Sequence, residues 1–316
     1  MLDIGEPVAE KELHAGHPRR SIPTDMTFAP WIAPDGWPLR SFAWPAQDRT
    51  RGSLLFLAGR GDFVEKYLEA LRHWHEGGWH LAGFDWRGQG GSGRLLVDRA
   101  VCHLDSFDPP LDDLDAFVAD WKGRTPAPHV IVAHSMGAHL TLRLLAERHA
   151  QVDAAALMAP MVAIAARGLP NAAVRALSGT AVAAGLGRRR IWGKDIGNYG
   201  GRMTSCPDRL EDKLWWKAVQ PETASGAPSW GWLCAAAHSI ARMQRVLPQL
   251  PNHVPLLILA SELDPVIDVA ALKRIAARLP QSALRLFPGR SHELLREADA
   301  RRLEVFAAID SFLPGG

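Results

Sequence analysis

The chain has 316 residues, 47% hydrophobic and 22% charged, with a formal net charge of +2. That profile fits one large globular domain, or one domain carrying a substantial insertion, and the near balance of charge argues against a nucleic-acid partner. Cys102, Cys206 and Cys234 are scattered and show no CxxC spacing, which points to reduced cytoplasmic thiols rather than to a disulfide framework or a zinc site.

Residues 1–25 carry no clear periodicity and are expected to form a loose arm; the first of them are acidic and lack the apolar run of a signal peptide. "TFAPWIAPDGWPLRSFAW" reads as a hairpin with Pro-Asp-Gly at its turn. "SLLFLAG" is a short buried strand. "DFVEKYLEALRHWHEGG" is an amphipathic helix with Phe63, Tyr67, Leu68 and Leu71 on one side and glycines at its end. Next come the strand "HLAGFDW", the helix "LDDLDAFVADWKG", the strand "HVIVA", the helix "MGAHLTLRLLAERHA" and the strand "DAAALMAP". This alternation predicts βαβ units and a mostly parallel sheet flanked by helices.

After "DAAALMAP" the alternation breaks. The next clear strand, "VPLLILA", begins at Val254, so residues 161–253 are far too long for a crossover. They are expected to form an inserted, mainly helical cap or lid. The core is then 26–160 together with 254–316. The pattern resumes with a helix near Val269–Leu279, the strand "ALRLF" and the helix "ADARRLEVFAAIDSFL". The longest apolar stretch, 154–166, contains Pro160 and falls short of the roughly 20 residues a membrane span needs. Any membrane contact is therefore expected to be transient and at the surface. Arg188, Arg189 and Arg190 read as solvated surface.

The chemistry concentrates at "AHSMG". A serine between a buried strand and a helix can sit on a strained turn that lifts its Oγ above the sheet, while the helix N-terminus favours developing negative charge. Small residues are needed two positions to either side, where Ala133 and Gly137 stand. Such a serine also needs a base, and the base needs an orienting carboxylate. Asp264 in "SELDPVID" and His292 in "PGRSHELL" each come after a later strand, so Ser135, Asp264 and His292 are expected at one edge of the sheet. Glu262 and Asp268 rival Asp264, but Asp268 suits a helix cap and Asp264 precedes the stiffening Pro265. The N–H groups of Met136 and Arg60 are the candidate oxyanion hole, since Gly59 and Gly61 allow close backbone approach. Asp85 reads as a structural loop carboxylate. His73, His75 and His80 do not share a helix face and read as a solvated helix end rather than a metal site.

The set "FLAGRGDFVEKY", "FDWRGQGGSGR", "AHSMGAH", "LASELDPVID" and "FPGRSHELLRE" resembles the bacterial lysophospholipases of the monoacylglycerol-lipase group, within the α/β-hydrolase superfamily. The cap stretch from "MTSCPDRLED" to "SGAPSWGWLCAA" is similar as well, and the likeness spans nearly all of 27–313. The resemblance implies the α/β-hydrolase fold, the same catalytic and oxyanion residues, and no cofactor. The family's usual His-Gly and Gly-His-Ser are here Ala58-Gly59 and Ala133-His134-Ser135, changes that remove no catalytic group. The expected activity is cleavage of carboxylic esters, of acylglycerol or lysophospholipid type, through an acyl-enzyme on Ser135. Trp192, Trp215, Trp216, Trp230 and Trp232 are candidates to line an acyl pocket in the cap. Two alternatives stand beside this. One is an aminopeptidase of the same fold, with Glu211, Asp212 and Glu222 facing a substrate amine. The other is a non-catalytic binding protein on a hydrolase scaffold. Oligomeric state is left open.

Overall fold

The computed structural model describes residues 17–47, 50–165, 169–192 and 203–315. Eight strands form one sheet in the order β1-β2-β4-β3-β6-β7-β9-β10. They are β1 (Thr27–Ile32), β2 (Pro38–Trp44), β3 (Gly52–Leu57), β4 (Trp79–Phe84), β6 (His129–His134), β7 (Ala154–Met158), β9 (Leu256–Ser261) and β10 (Ser282–Phe287). β1 and β2 form the expected hairpin, closed at Gly36 with φ 86°, a value that glycine adopts without strain. β2 runs antiparallel to β4, and from β4 to β10 every neighbour is parallel.

The central strands are buried on both faces, which is why they read as unbroken apolar runs. Successive side chains alternate between the two faces. Ile131 and Ala133 join one core with helices α2 (Asp108–Arg124), α3 (Met136–Arg143) and α7 (Val269–Ala276). Val130 and Val132 join the opposite core with α1 (Leu68–Glu76) and α8 (Asp299–Asp310).

The 161–253 stretch, where a cap is expected, carries α4 (Asn171–Ala181), α5 (Pro207–Val219) and α6 (Trp230–Val246). α4 packs along α6, and α6 also sends Ala236, Ile240 and Met243 into the core beneath α3. α5 packs instead against the 3-10 turn Val64–Tyr67. A short parallel pair, β5 (Val101–Cys102) with β8 (Ala227–Pro228), ties this stretch to the loop after β4.

The loose arm needs correction over its described part; residues 1–16 lie outside the described residues. Arg20 is buried and pairs with Asp212 at 2.6 Å and Glu211 at 2.9 Å, Arg19 pairs with Asp212, and the Trp216 indole donates to the Arg19 carbonyl at 3.0 Å. Charge pairing to a distant helix anchors this stretch, and such pairing leaves no periodic trace in sequence.

Candidate active site

Ser135 lies between the end of β6 and the first residue of α3 with φ 51° and ψ −109°, a conformation that strains a residue with a Cβ. The surroundings hold it there. Its N–H donates to the Met158 carbonyl at 2.9 Å, and its own carbonyl accepts from His139 at 3.0 Å and Met161 at 3.2 Å. Gly137 has a steric cause: a Cβ there would stand 2.7 Å from the carbonyl oxygens of Leu57 and Ala58.

Two loops at the same sheet edge complete the arrangement. His292 comes after β10, and its Nε2 stands 2.9 Å from Ser135 Oγ. Its Nδ1 stands 2.8 Å from Asp264 Oδ2. Asp264 is aimed by its other oxygen, which accepts from the Val266 N–H at 2.8 Å and the Ile267 N–H at 3.1 Å. The loops are laced together where the Leu263 N–H donates to the Gly289 carbonyl at 3.1 Å. The rivals lie elsewhere: Glu262 is exposed, and Asp268 Oδ1 caps α7 by accepting from the Ala271 N–H at 2.9 Å. A nucleophile, a base and an orienting carboxylate thus stand in hydrogen-bonded series, as acyl transfer to a serine requires.

Residues 48–299 match the family described as serine aminopeptidase, S33. The chain belongs to this hydrolase family. It is 31% identical over 299 residues to lysophospholipase L2 of Escherichia coli (strain K12), covering 88% of this chain and 84% of that protein. It is 25% identical over 276 residues to a probable lysophospholipase L2 of Haemophilus influenzae, covering 84% and 85%. In fold it is similar to a soluble variant of the Saccharomyces cerevisiae monoglyceride lipase solved with a substrate analog, with TM-score 0.73 and 18% identity over 94% of this chain and 98% of that one.

In this family member the loop after β3 faces Ser135. Arg60 lines the same cavity as Ser135, and the N–H groups on either side of it are held by side chains: Gly59 donates to Asp62 Oδ2 at 3.1 Å and Gly61 to Gln89 Oε1. A Cβ on Gly59 would stand 3.0 Å from His134 Nδ1 and 3.2 Å from Ser135 Cβ, a tight fit that would make these side chains give by a few tenths of an ångström. Met136 is the first residue of α3, where an N–H has no acceptor within its own helix.

Ser135 opens into a cavity of about 380 Å³. Its walls are mostly apolar, with Met161, Val174, Leu177 and Ile191 among them. Trp192, Trp230 and Trp232 line it as well; Trp232 is buried and Trp192 stands 46% exposed at the rim. Trp215 and Trp216 do not belong with them. They pack edge to face on the side of α5 that meets the N-terminal stretch and the α1 core, where Arg20 lies over the Trp215 ring and Trp216 is buried.

The candidate amine-binding carboxylates are likewise elsewhere: Glu211 and Asp212 pair with Arg20 and Arg19, and Glu222 is exposed. His73, His75 and His80 reach separate partners: Asp310, the Pro45 carbonyl and the Ala46 N–H. Asp85 accepts from the N–H groups of Val64 at 3.0 Å and Gly91 at 2.8 Å and pairs with Arg40, bracing two loops; burial raises its pKa to about 6.

Sequence reasoning missed Gln89, Asp62, Lys66 and His134, which surround these loops. Their one signal was position: Asp62 and Lys66 share a helical face with Phe63 and Tyr67, which the apolar pattern directs inward.

Proposed function

We propose that this protein is a serine hydrolase that cleaves the acyl ester of monoacylglycerol- or lysophospholipid-type lipids. The observation that carries the reading is the Ser135–His292–Asp264 series opening into a mostly apolar cavity of about 380 Å³. Ser135 Oγ attacks the acyl carbonyl while His292 Nε2 takes its proton. Asp264 holds the imidazole and stabilises the imidazolium. The N–H groups of Met136 and Arg60 receive the oxyanion, whose charge develops beside the positive end of α3. His292 then protonates the departing alcohol, and the same base activates the water that releases the fatty acid. Each buried CH₂ of the acyl chain adds roughly 0.8 kcal/mol, which favours chains long enough to fill the cavity.

In this reading 161–253 is the cap, since α4, α6 and Trp192 wall the cavity above the sheet edge. Leu169, Leu177, Val182 and Trp192 are exposed in that region and suit a transient contact with a lipid surface. Cys102 and Cys206 are buried thiols and Cys234 is half-buried. Among the described residues no helix is long and apolar enough to cross a membrane.

A fluorophosphonate probe, p-nitrophenyl esters and amino-acid arylamides test the reading together. Ser135→Ala is expected to abolish labelling and nearly all ester turnover while leaving the fold intact. Labelling that persists in Ser135→Ala, or arylamide turnover exceeding ester turnover in the unsubstituted protein, would overturn it.

A further inference from the structure

A buried cluster of charged side chains adjoins His292. Asp62 is its hub. Oδ2 accepts from the Gly59 N–H at 3.1 Å and from the Tyr67 hydroxyl at 2.9 Å, and Oδ1 accepts from Lys66 Nζ. Lys66 is fully enclosed and donates again to Glu293 Oε1 at 2.6 Å. Glu293 is the next residue after His292 in the chain and is held from its other oxygen by Arg296. A second route runs through His134, whose Nε2 meets the main-chain carbonyl of His292 at 3.0 Å. That carbonyl can only accept, so Nε2 carries a proton. His134 Nδ1 faces the Tyr67 hydroxyl at 3.2 Å and Asp62 Oδ2 at 3.6 Å. The His134 and His292 rings lie 4.8 Å apart.

We infer that Asp62 is a positioning residue that locks the Gly59–Gly61 loop to the His292 segment, so that the oxyanion donor and the general base face one point above Ser135. The inference rests on the proposed esterase function. One carboxylate fixes the peptide next to Arg60 and reaches the His292 segment by both routes. Burying ions costs several kcal/mol each before pairing, and buried ion pairs are weak sources of net stability. What this cluster supplies is direction: every bond of Asp62 is made to a group whose orientation the site needs. The carboxylate stays ionised, because Lys66 and His134 outweigh the upward push of burial and hold its pKa well below the usual range. Lys213 from α5 is buried close by and adds to the field at Asp62 and Glu293. A displacement of about 1 Å in such a site costs on the order of 100-fold in rate.

The test uses the full chain and one soluble p-nitrophenyl ester. Asp62→Asn keeps the shape, but its amide nitrogen must face either Lys66 or the Gly59 N–H, both donors. We expect kcat to fall on the order of 100-fold with KM within about three-fold. A fall confined to kcat, with KM kept, is the mark of lost positioning, since a merely loosened fold would disturb substrate binding as well. Tyr67→Phe keeps every charge and should lower kcat by a smaller factor. The double variant should lose less than the product of the single effects, as expected of groups acting as a unit. Folded Asp62→Asn with kcat within two-fold of the parent, or with a loss carried by KM rather than kcat, overturns the inference and leaves the esterase reading intact. If Asp62→Asn does not fold, Tyr67→Phe decides, and an unchanged kcat overturns the inference. A parent protein that turns over no ester overturns both.

Discussion

The sharpest consequence of the site concerns Asp264→Asn. Asparagine has the size of aspartate but one oxygen where aspartate has two. In the native site Oδ1 accepts from the N–H groups of Val266 and Ile267, while Oδ2 faces His292 Nδ1. Two backbone donors require an acceptor, so the asparagine oxygen must turn toward them and its NH₂ toward His292. That NH₂ can only donate. His292 is then held with Nδ1 bare and its proton on Nε2, pointing at Ser135 Oγ 2.9 Å away. In that tautomer Nε2 cannot take the serine proton. The analogous change in serine proteases costs about 10⁴ in kcat, equivalent to about 5 kcal/mol of barrier. The side chain of Asp264 is fully enclosed, so solvent cannot restore the correct tautomer cheaply. Asp268→Asn is the matched control, because asparagine caps a helix about as well as aspartate and activity should stay within a few-fold. Steady-state turnover of one soluble ester, measured on both variants at a pH where His292 is neutral, reads the difference. Asp264→Asn retaining a tenth of parental kcat, or Asp268→Asn being the crippled variant, would refute the argument.

Two further outcomes arise from burial. Trp192→Ala and Trp230→Ala enlarge the apolar cavity and should shift the kcat/KM ratio between dodecanoyl and acetyl esters by about ten-fold, the worth of one or two CH₂ groups; Trp216→Ala should leave that ratio alone and cost about 3–5 kcal/mol of stability, both read by an ester series and thermal melts. Burial, with Lys66 beside it, lowers the Lys213 pKa to about 7 from 10.5. Between those values the unfolded chain binds the proton and the folded chain does not, so the penalty is fully present below pH 7 and relieved as pH rises toward 10.5. Lys213→Met should therefore raise the Tm at about pH 6.5 much more than at about pH 10, with an upper bound of about 5 kcal/mol on the difference; equal gains at both pH values would show that Lys213 carries no such penalty.

What could be read in advance, and what could not, divides along a physical line. The strands at 129–134, 256–261 and 282–287 announce themselves through runs of apolar residues, and their parallel order puts every C-terminal end on one edge. Ser135, Asp264 and His292 stand in the loops past those ends, so topology alone brings them to one edge. Asp264 could be told from Asp268 because one stands in the loop and the other at the start of a helical pattern. Trp215 and Trp216 carried no comparable information. Apolar character says that a side chain is covered, but which neighbour covers it depends on how α5 lies against the turn Val64–Tyr67, a contact between segments far apart in sequence. The buried charges went unmarked for a related reason. Lys66 and Glu293 look solvated in isolation, and they are tolerable in the interior because they pair with each other across 227 positions, with Asp62 on one side and Arg296 on the other. Arg20 and Asp212 repeat the pattern across 192 positions and turn an expected loose arm into an anchored one. A hydrophobic period is repeated within one segment and so survives in the sequence alone. A buried ion pair is a relation between two single residues with no period, and it becomes visible only once the fold has set them side by side.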